Sequence, residues 1–409
     1  MDQLRKIGIQ IISKRLKILA TQLHYPPRIP RGGKPSVLQK ILGLFSPLSW
    51  IYELITTLRS GAYRYGWREA FSAPMPIISV GNLTTGGTGK TPIVIALASG
   101  LVKAGKRVLI LSRGYGATVP LQGVRADDPR YGDEAYLIQE EVPEALVLVG
   151  RRREEVLRKA MAEYHPDYVI LDDGFQYLRL KRTVNILLFD GEALIGNGRL
   201  LPLGPLRESM KALRRADIIF VTRSMTQEAL DTVERWVRTY HPLGVLPIMP
   251  VPFNVAGLKV VTGDAARTPM TLIQPEQLAA RSIIAFSALA RPEAFEKNLL
   301  ELKLPLLEHK RFADHHAYSE ADIKELARIV KTYTQPHQAP PIVITTDKDW
   351  TKARRYFPTL FPEIEIYTLQ TLPLLDGYWF YEEFLTRSPQ RSTPEPPGAN
   401  SESPGLPHS

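Results

Sequence analysis

The chain contains no cysteine. Disulfide bonds, thiolate metal sites and cysteine nucleophiles are therefore excluded, so catalysis must use other groups. The sequence also lacks an uncharged apolar run of about 18 residues, which a membrane-spanning helix requires. Met1 and Asp2 precede scattered basic residues, a start that does not resemble a signal peptide. From these absences we expect a cytoplasmic protein.

Positive charge is in excess, but it is concentrated at one end of the chain. The 409 residues carry a formal net charge of +10. Residues 1–75 contain 12 Lys or Arg against 3 acidic residues, a net charge of +9, so the remaining 334 residues are nearly neutral. A basic face spread over a nucleic-acid-binding domain is therefore not expected.

The basic segment is also amphipathic. Between residues 4 and 24 apolar side chains recur at helical spacing with basic residues around them, and residues 38–52 form a second, more apolar stretch. Three aromatic residues, at 63, 65 and 67, follow among arginines, as in a belt at lipid headgroup level. These helices either pack on the protein's own core or lie on an anionic membrane surface. We favour a membrane-docking segment over residues 1–75.

From Pro76 onward, short apolar runs alternate with helical stretches, a pattern typical of a parallel sheet covered by helices. Strands are expected at 77–80, 107–111, 145–149, 168–171, 185–189 and 216–222. They predict an α/β core over residues 76–225. A smaller second α/β lobe is expected over residues 226–387, with strands at 282–286 and 342–345. Residues 388–409, rich in Pro, Ser and Gly, are predicted to be disordered.

A glycine-rich segment, Thr84–Thr91, predicts a cradle for nucleotide phosphates. Its glycines let backbone N–H groups approach phosphate oxygens, Lys90 supplies a cation, and the Thr91 hydroxyl can ligate Mg²⁺. The residues of this loop are Thr84, Thr85, Gly86, Gly87, Thr88, Gly89, Lys90 and Thr91. A strand precedes the loop and a helix follows it, which is the context that a P-loop needs. The predicted fold is therefore an α/β P-loop NTPase core, a Rossmann-like parallel sheet.

Two pairs of carboxylates are candidates for metal binding and proton transfer. Asp172 and Asp173 end an apolar strand, an arrangement that holds Mg²⁺ opposite a P-loop, although the same residues alone are also typical of a turn. Asp133 and Glu134 are adjacent, so one could accept a hydroxyl proton while the other ligates a metal. Helix N-terminal capping is the alternative for this second pair.

Further candidates lie in loops. Arg113 follows another predicted strand and could meet an anion. The Gly/Pro-rich loop over residues 196–208, which contains Arg207, is predicted to bind substrate. In the second lobe His315 and His316 follow Asp314. This pair could serve as metal ligands, as an acid/base element or have no role, and no third ligand at recognisable spacing favours a metal.

As an ordered set, these motifs resemble those of the tetraacyldisaccharide 4′-kinases, which phosphorylate a lipid disaccharide at the cytoplasmic face of the Gram-negative inner membrane. The shared segments are 79–91, 112–116, 132–134, 172–176, 201–208 and 314–316. The resemblance implies ATP and Mg²⁺ as cofactors and the 4′-hydroxyl of a tetraacyldisaccharide 1-phosphate as acceptor. It also implies a peripheral protein at an anionic membrane surface, which we expect to be monomeric and to bind no nucleic acid.

The resemblance also implies roles for single residues. The P-loop with Lys90 would bind nucleotide, Thr91, Glu134 and Asp173 would hold Mg²⁺, and Asp133 assisted by His315 would take the proton from the acceptor. Residues lining the acceptor site would be Arg113, Asp172, Gln176 and Arg207. Two positions depart from the family pattern: Tyr177 stands where the family usually has His, and Ala135 where it usually has Pro.

A partition- or septum-type switch ATPase is the alternative function, because such proteins share the glycine-rich core and can bind membranes. They carry a signature lysine just before the paired glycines, where this chain has Thr85. This difference argues against the alternative.

Overall fold

Two β-sheets organise the described part of the chain. The computed structural model describes residues 46–114, 117, 122–223, 226–262, 272–278, 281–289, 292–314, 316–334, 339–357 and 364–382. Its strands are β1 (Ile77–Asn82), β2 (Val108–Ser112), β3 (Gln122–Arg125), β4 (Leu146–Gly150), β5 (Tyr168–Asp172), β6 (Val184–Asp190), β7 (Ile218–Thr222), β8 (Ile248–Val251), β9 (Phe253–Val260), β10 (Leu272–Ile273), β11 (Ile283–Ser287), β12 (Leu306–Arg311), β13 (Ile342–Thr345) and β14 (Ile366–Pro373).

Helices cover these sheets. They are α1 (Ser46–Arg64), α2 (Lys90–Lys103), α3 (Asp133–Glu141), α4 (Arg153–Glu163), α5 (Gln227–Tyr240), α6 (Pro292–Glu301), α7 (Glu320–Tyr333), α8 (Asp347–Ala353) and α9 (Gly377–Phe380). Short 3₁₀ segments occur at Pro129–Tyr131, Met210–Arg215 and Pro275–Leu278.

The first sheet has eight strands in the order β3-β4-β2-β5-β1-β6-β7-β8. All neighbours pair in parallel except β3 and β4, which are antiparallel. Every residue of β1, β2, β6 and β7 is buried, as expected for parallel strands with helices on both faces. Because β1 lies between β5 and β6, the P-loop that follows β1 emerges beside the carboxyl end of β5, where ligands of such sheets bind.

The first sheet continues beyond residue 225, where the sequence predicted the core to end. Strand β8 pairs with β7 in parallel and forms the sheet edge. Pro250 lies within β8, and proline is tolerated at an edge because one side of that strand needs no ladder hydrogen bonds. The chain also returns to this unit at its far end, where Gly377 packs so closely on α2 that a Cβ would lie 2.0 Å from the Ala96 carbonyl oxygen.

The second sheet has six strands in the order β10-β9-β14-β13-β11-β12. Strands β12, β11, β13 and β14 are parallel, and β9 and β10 add antiparallel pairs at the other edge. The predicted strands at 282–286 and 342–345 both lie in this sheet. The structure therefore contains the smaller α/β lobe, with more strands than the sequence indicated. Strands β9, β12 and β14 were missed because polar and apolar residues do not alternate regularly along them.

Helix α1 packs with its polar side inward. Ser49 donates to the carbonyl oxygens of Leu200 and Leu201, and the Tyr52 hydroxyl donates to the Arg207 carbonyl at 2.9 Å. Six large apolar side chains of α1 are at least half exposed: Leu48, Trp50, Ile51, Leu54, Ile55 and Leu58. A helix of a soluble domain normally buries its apolar stripe, so α1 has the reverse arrangement.

No helix in the described ranges is long and apolar enough to span a membrane. The predicted amphipathic helix at residues 4–24 and the predicted disordered tail at 388–409 lie outside the described residues.

Candidate active site

The P-loop follows β1 and opens α2. Gly86 and Gly89 have positive φ angles of 109° and 81°, which let the loop turn its backbone into the helix N-terminus. The Thr222 hydroxyl at the end of β7 donates to the Thr88 carbonyl at 2.9 Å, and this hydrogen bond ties the loop to the sheet. Lys90 Nζ lies 3.3 Å from Asn82 Oδ1 and 3.5 Å from Asp173 Oδ1. The structure thus brings the P-loop cation to the strand-end carboxylates.

Asp173 is held by cations on two sides. One Arg207 guanidinium nitrogen lies 2.8 Å from both carboxylate oxygens, and Lys90 is the second cation. Burial by itself would raise the pKa of Asp173, but Lys90, Arg207 and Arg153 outweigh it and lower the pKa to about 2. The backbone at this residue is left-handed, with φ 47°. Such conformations in non-glycine residues concentrate at functional sites.

The pKa of the neighbouring Asp172 is shifted in the opposite direction. Its side chain is buried and accepts a 2.9 Å hydrogen bond from Ser112 at the end of β2. Burial, reinforced by the charges of Glu134 and Asp173, raises its pKa to about 6. Among the described residues, no hydrogen-bond donor reaches its other oxygen, Oδ1. A buried carboxylate oxygen of this kind suits a cation at this position.

The turn after β5 rests on Arg153 and Tyr177. Buried Arg153 donates to the carbonyl of Asp172 at 2.7 Å, and its guanidinium lies 4.2 Å from the centre of the Tyr177 ring. The Tyr177 hydroxyl accepts from the Arg153 backbone N–H at 2.8 Å and donates to Glu154. Tyr177, one of the two departures from the family pattern, therefore stabilises the turn after β5 through its contacts with Arg153. The sequence did not indicate Arg153 at all.

The loop predicted to bind substrate lies next to the P-loop. Backbone N–H groups of Thr85 and Arg207 donate across the two segments, to Pro205 and Leu83, each at 2.7 Å. Gln176 is held between them: its amide nitrogen donates to the Asn82 carbonyl at 2.8 Å, and its oxygen accepts from Arg207 at 3.2 Å. Predicted substrate residues Gln176 and Arg207 are therefore in direct contact. Arg113 follows β2 at the same sheet edge, with an exposed side chain.

Asp133 and Glu134 begin α3 and face the second lobe. Lys352 Nζ lies 2.8 Å from Asp133 Oδ2, and Lys348 Nζ lies 2.7 Å from Glu134 Oε1. Burial would raise the pKa of Glu134, but Lys348 and Lys90 together lower it. Both lysines come from α8, more than 200 residues along the chain. Their only signal in the sequence is a spacing of four residues after a threonine suited to an N-cap, a pattern that indicates a helix face but no functional site.

Of the two adjacent histidines in the second lobe, the structure describes only His316. His315, the predicted assistant of Asp133, lies outside the described residues. His316 stacks on Phe312 and pairs with Asp322 at 3.0 Å, within the capping box that begins α7, so it has a structural role. Asp314 is close enough to Lys348 for its charge to help raise the pKa of that lysine against the effect of burial. Asp314 is thus near the lysine that contacts Glu134 of α3.

Within the described residues, no cluster of three or more His, Cys, Asp or Glu forms a ready-made metal site. Mg²⁺ usually takes only one or two protein carboxylates, with substrate phosphates and water completing the shell. The Asp172 oxygen without a donor and the nearby Glu134 fit that requirement. Asp173, predicted as a ligand, is already bound by Arg207 and Lys90.

Comparison with known proteins gives this arrangement its context. The family model of tetraacyldisaccharide-1-P 4′-kinases (LpxK) matches residues 41–375. This chain belongs to that family. Tetraacyldisaccharide 4′-kinases from Geobacter metallireducens and Pelobacter propionicus are 37% and 35% identical over 322 residues, which cover 76% and 77% of this chain and 88% and 84% of theirs.

A solved structure of this kinase family is also similar. The structure of LpxK from Aquifex aeolicus in complex with ATP has a TM-score of 0.62 and 30% identity, and the match covers 81% of this chain and 94% of that one. The family membership confirms the resemblance that the motifs indicated, and with it the P-loop NTPase fold and the class of kinases. The switch-ATPase alternative is not favoured.

Proposed function

We propose that this chain transfers the γ-phosphate of ATP to the 4′-hydroxyl of a tetraacyldisaccharide 1-phosphate. The proposal is carried by the convergence of the P-loop cation Lys90 with Asp173, Arg207 and the α3 carboxylates at one sheet edge, in a chain of the kinase family. Phosphoryl transfer demands little covalent chemistry from a protein, so catalysis is mainly positioning and charge stabilisation. A P-loop beside a carboxylate-lined strand end supplies both.

Each candidate residue has a proposed task. The P-loop backbone and Lys90 bind the phosphates, and Asp133, assisted by His315, accepts the proton of the acceptor hydroxyl. Thr91, Glu134 and Asp173 would hold Mg²⁺, with Asp173 also held by Arg207 and Lys90. Asp172 is a further candidate ligand, because no donor among the described residues reaches its Oδ1. The ion would neutralise charge on the phosphates. Arg113, Gln176 and Arg207 orient the acceptor.

The test is transfer of ³²P from Mg·ATP to a purified tetraacyldisaccharide 1-phosphate. Asp133→Asn should abolish transfer while leaving nucleotide affinity nearly intact, because the base acts only on the acceptor. Glu144→Ala, at an exposed position near the other end of α3, is the control and should be fully active. Robust ATP hydrolysis without lipid phosphorylation would contradict the proposed function, and an equal loss of nucleotide affinity in Asp133→Asn would contradict the base assignment.

We further propose that the protein acts peripherally, as a monomer, at the cytoplasmic face of the bacterial inner membrane. Support comes from α1, whose apolar residues face outward while its polar residues hydrogen-bond to the substrate loop. An exposed apolar stripe of this size is typical of an interaction surface. Arg64, which ends the same helix, and Arg68, which follows it, have exposed side chains that suit an anionic lipid surface.

A further inference from the structure

Helix α8 of the second lobe brings two cations to the carboxylates of α3. Lys348 and Lys352 are four residues apart and therefore lie on one face of α8. Their ammonium groups lie 2.7 Å from Glu134 and 2.8 Å from Asp133. The spacing of the two lysines along α8 thus matches two adjacent acids at the start of α3.

The contact belongs to a wider charge pattern between α3 and the second lobe. At the other end of α3, Arg354 pairs with Glu140 at 2.9 Å and Lys259 with Glu141 at 3.0 Å. In all four pairs α3 supplies the acid and the second lobe the base. The pairs at Glu140 and Glu141 lie at the opposite end of the helix from Asp133 and Glu134, so they offer matched controls for the two at the site.

Lys348 is a mostly buried lysine on a helix that hydrogen bonds hold in place. Its helix is capped by Thr346, whose hydroxyl donates to buried Asp349 at 2.7 Å, and Asp349 also accepts from the Ala288 backbone N–H at 3.2 Å. The Lys348 side chain is only 23% exposed. Ion pairs between exposed side chains contribute little, but a mostly buried pair on a fixed backbone is costly to separate.

We propose that Lys348 is a positioning residue that holds Glu134 through their ion pair and competes with Mg²⁺ for this carboxylate. The proposal rests on the proposed function, in which Glu134 is a metal ligand. Because Lys348 occupies Oε1 of this carboxylate, a cation at Glu134 must break or share the ion pair. Metal binding at the α3 carboxylates is thereby linked to the contact of α8 with α3.

Replacement of Lys348 by Met tests this competition. We expect the Mg²⁺ concentration that half-saturates binding of a non-hydrolysable ATP analogue to fall about tenfold, the size expected when one charge-assisted hydrogen bond no longer has to be broken. Calorimetry on the full chain without lipid acceptor gives this value. Lys348→Arg, which keeps the cation, and Arg354→Met, which removes a pair at the far end of α3, should leave it unchanged.

The sign of the change separates competition from simple structural support. If Lys348 only stabilised the fold, its loss would weaken Mg²⁺ binding or leave it unaltered, and either result overturns the proposal. If thermal melting shows that the Met variant folds poorly, Lys348→Gln replaces it, and the half-saturating Mg²⁺ concentration should fall by the same factor. Failure of the wild-type protein to phosphorylate lipid would instead overturn the proposed function, and the binding experiment, which contains no acceptor, would not reveal it.

Discussion

One guanidinium nitrogen of Arg207 contacts both carboxylate oxygens of Asp173 at 2.8 Å. The pair joins the substrate loop to the turn after β5, and Lys90 of the P-loop reaches the same carboxylate at 3.5 Å. Asp173 is therefore where the P-loop, the strand end and the substrate loop meet.

Removing the Arg207 cation should impair transfer. We expect Arg207→Met to lower kcat/KM for the lipid acceptor by about 100-fold, because a lost charge-assisted contact of this kind is worth about 2–3 kcal/mol. Arg207→Lys should lose less, since it keeps the charge but not the planar guanidinium. Steady-state kinetics with saturating ATP measure the effect. A change of less than about threefold in the Met variant would contradict this role for Arg207.

Substitutions of the two adjacent aspartates should change stability in opposite directions. One pKa unit corresponds to about 1.4 kcal/mol, so ionised Asp172, whose pKa is raised from 3.8 to about 6, costs folding on the order of 2–3 kcal/mol above that pH. Asp172→Asn should therefore stabilise the protein at pH 7.5 and lose this advantage below about pH 4, where the group is protonated in both the folded and the unfolded state. Urea unfolding at several pH values measures it.

Asp173→Asn is the matched comparison. The pKa of Asp173 is lowered from 3.8 to about 2, so its ionised form stabilises the fold above the unfolded value, and this contribution is lost as pH falls through the window between the two. The Asn variant should be destabilised at pH 7.5. Both variants should lose transfer activity. Equal destabilisation by the two substitutions would contradict the raised pKa of Asp172.

The P-loop should not tolerate a side chain at Gly89. Its φ of 81° disfavours other residues, and a Cβ there would lie 2.6 Å from the Phe253 ring. We expect Gly89→Ala to abolish ATP binding measured by calorimetry. Gly244→Ala is the control, because its φ of 66° carries the same backbone cost but a Cβ would meet nothing within 4 Å. Normal ATP affinity in Gly89→Ala would contradict the requirement for this close approach.

The exposed face of α1 should determine membrane binding. Trp50, which is 69% exposed, and Leu54 would bury apolar surface in the membrane interface. Burial of a large apolar side chain contributes about 1.5–3 kcal/mol, so replacing both residues by Ser should weaken binding to anionic vesicles at least tenfold in a sedimentation assay. The loss should persist at high salt, which screens only the charge contribution. Leu300→Ser with Leu374→Ser, also exposed but outside α1, should bind normally. Unchanged partitioning of the α1 variant would exclude this surface.

Much of the first unit could be predicted from local patterns. Strands β1, β2, β4, β5, β6 and β7 were expected within one or two residues, because fully buried parallel strands form continuous apolar runs. The P-loop was identified because its glycines, lysine and threonine are consecutive in the chain. Strand β8 was missed, since its proline pattern resembles a loop until the sheet edge is known.

The sequence by itself determined the nucleotide cradle and the strand-end aspartates, because each consists of residues adjacent in the chain. The order of the motifs along the chain indicated the class of kinase. Only the tertiary structure decided which charges meet: Arg207 with Asp173, Arg153 beneath the turn, and Lys348 and Lys352 on Glu134 and Asp133. Spacing and composition cannot reveal these contacts, because they join residues tens to hundreds of positions apart. They depend on how sheets, helices and lobes pack, and packing also turned the polar side of α1 inward.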